Sequence, residues 1–269
     1  MFVGWIRSKA LKQDLELFEA DQIIDKNLIL TTYEANPEYC FAIYEGEVLK
    51  GLVTVYPFEN CSLINNLYYA RDVKEEDKHR LITLLLQNID PTSTLLVLVN
   101  QTERKLFQAF GFESYAPFSH AIFNGGGVAF NFSSTTAKSI SQENYQSTLK
   151  KLDLRAWSED RYDYILHGIA KQSSLMLSND FGYQHSYMLS KGIVKLSPWI
   201  MESDALSDAE KFIRGVIYHR GLKKIIAFVP QIKEITDLYE SYRFEVVGGY
   251  YLLYLGNKPS IDLEMIYGL

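Results

Sequence analysis

The sequence predicts an α/β (α+β) fold in two similar halves, each a central mixed β-sheet flanked by helices. Three observations carry that reading. "KLFQAFGFESYAPFSHAIFNG" (Lys105–Gly125) and "DLYESYRFEVVGGYYLLYLG" (Asp237–Gly256) share their punctuation: Leu106 answers Leu238, Phe107 answers Tyr239, and Phe112 answers Phe244 at an offset of 132 residues. In each half, apolar runs that suit strands alternate with stretches of helical spacing, the mark of layered α/β units. Between the halves, "GGGVAFNFSSTTAKSISQENYQSTLKK" shifts to glycine, serine, threonine and glutamine, the composition of a linker.

Taken in order, an extended "FVGWIRS" precedes a helix over "KQDLELFEADQIIDKNL". "YCFAIYEGEVLKGLVTVYPF" alternates on either side of Glu45-Gly46 and reads as a hairpin. "SLINNLYYA" is a strand. "KEEDKHRLITLLLQNI" sets Leu81, Ile82, Leu85 and Ile89 at helical spacing. "STLLVLVN" is continuously apolar, as a buried strand should be. "ERKLFQAF" is a short helix closed by Gly111, which suits a left-handed C-terminal cap. The alternation to Phe123 completes the first half. The expected division is a domain over 1–130, a linker over 131–150 and a domain over 151–269, with the flanking apolar residues Val128, Phe130 and Phe132 expected to strap the connection partly onto a domain surface.

The second half repeats the order. "RYDYILHGIAKQ" reads as a helix, and "YQHSYMLSKGIVKLSPWIM" as two strands about Lys191-Gly192. "DALSDAEKFIRGVIYHRG" places Ala205, Ala209, Phe212 and Val216 on one helical face. "KKIIAFVP", "KEITDLYESY" and "EVVGGYYLLYL" close it as strand, helix and strand.

Composition narrows the function classes. The chain has 269 residues, 47% of them hydrophobic, enough for one large core or two small ones. A net charge of −6 is not the electrostatic footprint of a nucleic-acid binder. Cys40 and Cys61 are too few for a disulfide framework, and the five histidines lack metal spacing, so no metal is expected. No apolar run approaches a membrane span, and no signal peptide is expected at the start of the sequence. The expectation is a reduced, cytoplasmic, soluble protein, with no nucleic-acid or membrane partner and homodimerisation open.

"GEVLKGLVTVY", the strand and helix after it, "LLVLVN" and "LFQAFGFES" resemble the GNAT superfamily of acyl-CoA-dependent N-acetyltransferases. "SEDRYDYIL", "LSPWIMESDALSDAEKFI" and "LYESYRFEVVGGYYLLYLG" are similar to the second domain of tandem GNAT proteins. The resemblance implies two GNAT-like domains and acetyl transfer from acetyl-CoA, as co-substrate, to a small-molecule amine or a protein amino group. It implies that a splayed pair of parallel strands takes the pantetheine arm, and that the next turn and helix N-terminus present amides to the pyrophosphate. In the first half those positions are Leu67, Tyr68, Tyr69, Lys74, Lys78 and Asn100; in the second they are Trp199, Ile200, Met201, Ser207, Asp208 and Ala209. Asn100 reads equally as a turn residue, and Ser207–Ala209 as an ordinary helix start. Tyr239 falls where the family's tyrosine protonates the departing thiolate, whereas Phe107, its counterpart, has no proton to give. Glu202 is a candidate amine base or a surface carboxylate. In "VKEEDKH", Glu75, Glu76 and Asp77 stand where glycines are usual; they are expected to repel a pyrophosphate, offset in part by Lys74, Lys78 and His79. A fold kept as a catalytically degenerate binding module is the alternative reading.

Overall fold

The structure is a computed structural model that describes residues 1–20, 22–126, 145–169, 174–190 and 192–269. Its strands are β1 (Phe2–Trp5), β2 (Cys40–Glu45), β3 (Val48–Pro57), β4 (Cys61–Tyr69), β5 (Thr94–Asn100), β6 (Glu113–Phe123), β7 (Leu175–Asn179), β8 (Gly182–Ser190), β9 (Ile193–Met201), β10 (Lys224–Pro230), β11 (Glu245–Leu255) and β12 (Ile266–Gly268). Its α-helices are α1 (Leu11–Leu17), α2 (Lys26–Ala35), α3 (Glu75–Asn88), α4 (Gln101–Ala109), α5 (Tyr145–Trp157), α6 (Leu206–Arg220) and α7 (Lys233–Ser241). Packing divides the chain into two compact units: Met1–Glu113 with Leu253–Pro259, and Ser114–Leu252 with Ser260–Leu269.

Unit 1 orders its strands β1-β2-β3-β4-β5 and adds the end of β11 beside β5. The pairs β1/β2, β2/β3 and β3/β4 are antiparallel, and β4/β5 is parallel. The hairpin between β2 and β3 turns at Gly46, whose φ of +60° is open to glycine at little cost. Cys40, Ala42, Tyr44 and Leu52 pack with Leu11, Leu15 and Ile29 of α1 and α2. The intervening Phe41 and Ile43 therefore point to the other face of the sheet, and α3 supplies buried Leu81, Ile82 and Leu85.

The expected helix over 12–28 is two helices. Asp25 interrupts it by accepting a hydrogen bond from the Leu28 backbone N–H (3.0 Å), an N-cap that starts α2 afresh. The Tyr68 hydroxyl fixes the same corner by accepting from the Asp25 N–H (3.1 Å).

Unit 2 orders its strands β11-β6-β10-β9-β8-β7, with β12 paired to β9. The pairs β6/β10, β9/β8 and β8/β7 are antiparallel, and β10/β9 is parallel. Its core joins Ala209, Phe212, Ile213 and Val216 of α6 and Leu238 and Tyr239 of α7 to Leu196, Trp199, Ile225 and Ala227. Division by packing thus differs from division by repeat. Ser114–Phe123, which closes the first half in sequence, falls in unit 2, where Phe118–Phe123 pairs with β10, and Leu253–Pro259 lies in unit 1. Local patterning assigns a strand to its sequence neighbours; pairing across the chain overrides it here.

The expected linker overlaps α5, whose Leu149, Leu152 and Ala156 are buried at helical spacing. Val128, Phe130 and Phe132 lie outside the described residues, as does Lys191 of the expected β8–β9 turn. The expected helix over "RYDYILHGIAKQ" is a π-helical segment, Tyr164–Ile169. It follows a buried network. The Arg161 guanidinium donates twice to the Asp153 carboxylate (2.8 Å each), the Tyr183 hydroxyl donates to the same carboxylate (2.5 Å), and Arg161 lies 3.9 Å over the Trp157 ring. These contacts tie α5 to β8.

Two outcomes follow. Asp153→Ala leaves the Arg161 cation buried without its counter-ion and is expected to cost about 3–5 kcal/mol in urea unfolding, whereas replacing Arg161 and Asp153 together by Met and Leu should recover most of it. His185, buried, is held down to about 4 by desolvation, against the Ser197 carbonyl it hydrogen-bonds. Its folded pKa is below the unfolded value, so its contribution is complete above pH ~6.5 and lost as the pH falls toward ~4. Unfolding titrations should show that slope, and His185→Gln should flatten it.

Candidate active site

Each unit contains a parallel strand pair that parts. In unit 1, β4 and β5 pair from Cys61/Thr94 to Ile64/Val97, and the strands then continue to Tyr69 and Asn100 without pairing to each other. The parting coincides with an irregularity in β4: Thr54 faces Asn66 while Val55 faces Ile64, so Asn65 is the extra residue of a β-bulge. Unit 2 repeats the device at the same offset. Gln184 faces Trp199 and Ser186 faces Leu196, which places Ser197 and Pro198 opposite His185. The parallel pairing of β9 with β10 stops at Lys195/Ile226.

The bulge in unit 1 is polar and buried. The Asn66 amide donates to Thr54 Oγ1 (2.8 Å), Thr54 Oγ1 donates to Asn65 Oδ1 (2.7 Å), and the Asn65 amide donates to Thr32 Oγ1 (2.8 Å). Asn66 Oδ1 is buried without a partner among the described residues, and so is the Tyr69 hydroxyl. Two asparagines inside "SLINNLYYA" break an otherwise apolar strand pattern; that was the available signal for this network. Burial, with Glu103 and Glu75 adding to it, pushes the Tyr69 phenol well above its ordinary range. Lys78 stands 5.2 Å over the Tyr69 ring.

After β4 the chain turns into α3, a helix whose N-cap, Lys74, makes no side-chain capping bond. Its three acidic residues do not act as a block. Glu75 pairs with Lys78 (2.7 Å), and Asp77 is buried and paired with Arg80 (3.1 Å). Asp72, before them, pairs with Lys50 (2.5 Å). Arg71 and Lys74 are exposed on the same turn, beside a hollow lined by Leu17, Ala20, Val48 and Lys50. The expected repulsion of a pyrophosphate is therefore reduced at Glu75 and Asp77, while Glu76 stays exposed on the first turn of α3; spacing along the sequence hides which carboxylates form ion pairs. Asn100 caps α4 by accepting from the Glu103 N–H (2.9 Å). Phe107 is fully buried, edge-on to Phe112 at 5.0 Å. Leu67 is half-buried on β4.

The corresponding positions of unit 2 are spoken for. Trp199 and Ile200 pair with β12, and Met201 is buried in the core. Ala209 is fully buried among α6 side chains, not on the surface of the turn. Asp208 accepts from the Asn179 amide (3.0 Å) and Lys211 (2.8 Å), while Ser207 is exposed. Glu202 is ion-paired with Arg155, and the hollow beside it gathers Asp180, Glu202, Asp204 and Asp208 against Lys151 and Arg155. The Tyr239 side chain has no exposure, and its hydroxyl donates to the Tyr267 carbonyl (2.6 Å). Burial holds that phenol well above its ordinary range. Its proton is engaged by the chain itself, an arrangement that sequence spacing could not reveal.

An acyl-CoA needs an unpaired strand edge and a turn that tolerates phosphate. The residues of unit 1 fit that requirement: the edges beyond Ile64 and Val97, the orphan acceptor of Asn66, and the cations of the α3 turn. Those of unit 2 do not, since its edges are paired and its turn is acidic. Among the described residues, no group of three or more His, Cys, Asp or Glu is placed to hold a metal ion.

The architecture is shared with solved proteins of one class. A putative acetyltransferase from Pyrococcus horikoshii superposes with a TM-score of 0.73 at 15% identity, over 100% of this chain and 93% of that one. A tandem GNAT protein from the clavulanic acid biosynthesis pathway gives 0.60 at 10% identity, over 94% and 98%. A GCN5-related N-acetyltransferase from Sphaerobacter thermophilus gives 0.55 at 11% identity, over 98% of each chain. No family model matches the sequence, and no curated protein matches it significantly. The chain has the GNAT acetyltransferase fold.

Replacing Tyr239 by Phe keeps the ring and removes the hydroxyl that donates to the Tyr267 carbonyl. The expected loss is about 1–3 kcal/mol in urea unfolding, the cost of stranding a buried acceptor.

Proposed function

We propose that the protein is an acetyl-CoA-dependent N-acetyltransferase whose acyl donor is held by unit 1. The observation that carries this reading is the parting of β4 and β5 at the Asn65 bulge, ahead of a helix N-terminus without a side-chain cap. Acetyl-CoA would supply an activated thioester there. Beyond Ile64 and Val97 the facing edges of β4 and β5 do not pair with each other and offer hydrogen bonds to an extended amide arm, and Asn66 Oδ1 offers a buried acceptor. Lys74 and the first amides of α3 suit phosphate, as helix N-termini do. The acceptor is an amine, of a small molecule or of a protein, and it must lose its proton to be nucleophilic.

Phe107 sets a limit on this chemistry. It seals the position from water but cannot protonate a thiolate. A free thiol has a pKa near ~8.5, so the departing sulfur can take its proton from the acceptor amine without a side-chain acid. Unit 2 contributes scaffold in this reading, and Tyr239 holds β12.

The test is a calorimetric titration with acetyl-CoA, followed by acetyl transfer to a panel of amines. Asn66→Leu and Lys74→Glu should each weaken acetyl-CoA binding, by roughly tenfold for the loss of ~1.4 kcal/mol. Ser207→Glu should leave it unchanged. Binding that ignores the unit 1 variants and responds to Ser207→Glu would transfer the site to unit 2.

A further inference from the structure

In unit 2 the parting of β9 from β10 is filled. β12 lies antiparallel on β9, with Ile266 opposite Ile200 and Gly268 opposite Trp199. On its other side the Leu269 N–H donates to the Phe228 carbonyl of β10 (2.9 Å). Ile266 and Tyr267 are buried, and the Tyr267 ring lies 5.4 Å from that of Trp199. A Cβ on Gly268 would stand 3.1 Å from the Leu196 carbonyl and 3.4 Å from Trp199 Cβ, so a side chain there would have to displace the β9 backbone by a few tenths of an ångström.

The segment leading to β12 is fastened as well. The Tyr115 hydroxyl donates to the Ile261 carbonyl (2.9 Å) and accepts from the Ile261 N–H (3.1 Å), and the Asp262 N–H donates to Ala156 (2.8 Å). Tyr239 then takes the Tyr267 carbonyl. The ten residues of Ser260–Leu269 are thus held at successive points, and the last four occupy the gap.

We infer that the cleft between β9 and β10 is a peptide-strand site, filled in cis by Ile266–Leu269, and not an acyl-CoA site. Its recognition chemistry is that of an added strand. One edge pairs with the incoming backbone, the opposite edge accepts the Leu269 amide, the Trp199 ring lies against the Tyr, the Tyr239 hydroxyl takes that Tyr's carbonyl, and a tight position held by glycine follows it. A pantetheine arm would need the same edge groups and would lead its phosphates to the acidic turn of Glu202, Asp204 and Asp208. The inference concerns unit 2 alone and does not rest on the reading given above for unit 1.

The experiment uses the full chain and Gly268→Val, hydrogen exchange read by mass spectrometry, and two probes: acetyl-CoA and a synthetic peptide of the sequence Glu264–Leu269. In the wild type, Trp199–Met201 should exchange slowly and the peptide should not bind, because the cleft is taken. Gly268→Val should raise exchange in Trp199–Met201 at least tenfold, and added peptide should bind saturably and restore protection. Acetyl-CoA should protect Trp199–Met201 in neither protein. Peptide binding equally well to both proteins, or acetyl-CoA protecting those residues, would overturn the inference. If Gly268→Val does not fold, Tyr239→Phe serves instead: exchange over Ile266–Leu269 should rise several-fold relative to Ile193–Lys195, and no change would overturn it. Protection of Leu67–Lys74 by acetyl-CoA reports separately on unit 1, so either reading can fail alone.

Discussion

A parallel strand pair that parts leaves backbone N–H and C=O groups that must find other partners. That requirement is the constraint on which both units turn. In unit 2 it is met within the chain, by β12 and by Leu269. In unit 1 the same geometry follows the same kind of bulge, and beyond Ile64 and Val97 the two strands do not meet again. One device has two outcomes, and the difference comes from residues more than sixty positions downstream of β9.

The bulge itself is the second shared element. At an offset of 132 residues, Asn65 answers Ser197 and Leu67 answers Trp199. Around Asn65 the side chains form a directed chain of donors from Asn66 through Thr54 to Thr32, so the extra residue is stabilised by polar bonds across the sheet and to α2. Around Ser197 the carbonyl is bound to the His185 ring, and burial keeps that imidazole neutral at ordinary pH. Buried polar groups of this sort stay only where the fold satisfies them. Asn66 Oδ1 and the Tyr69 hydroxyl depart from that rule in unit 1, and the Gln184 amide, His185 Nε2 and Ser186 Oγ depart from it beside the bulge of unit 2; what sets unit 1 apart is that its parted strands do not meet again.

Much of the architecture was legible in the sequence because it is written in local patterns. The Glu45-Gly46 hairpin, the α3 stripe of Leu81, Ile82 and Leu85 and the Gly111 closure each depend on neighbours a few residues apart, and all are present, although Ile89, expected on the same stripe, falls just past the end of α3. What escaped depends on distance. β6 reads as the end of the first half, yet its partner β10 lies about a hundred residues on. The acidic run Glu75–Asp77 reads as repulsive until Lys78 and Arg80 are seen to take two of its charges. Tyr239 occupies the position the family resemblance assigns to a proton donor, but only the placement of Tyr267 shows where that proton goes. β12 is too short to carry any periodicity.

The assignment of Leu253–Pro259 to unit 1 has a consequence for how the protein is made. Domains commonly fold in the order in which they leave the ribosome. Here the earlier unit lacks its last strand segment, and the contact of Thr94 with the Asn257 carbonyl, until residue 257 has been synthesised. The later unit in turn waits for Ile266–Leu269. Neither sheet can be completed before these residues are made, so the nascent protein must hold unfinished strand edges until then, with non-local pairing as the slow step.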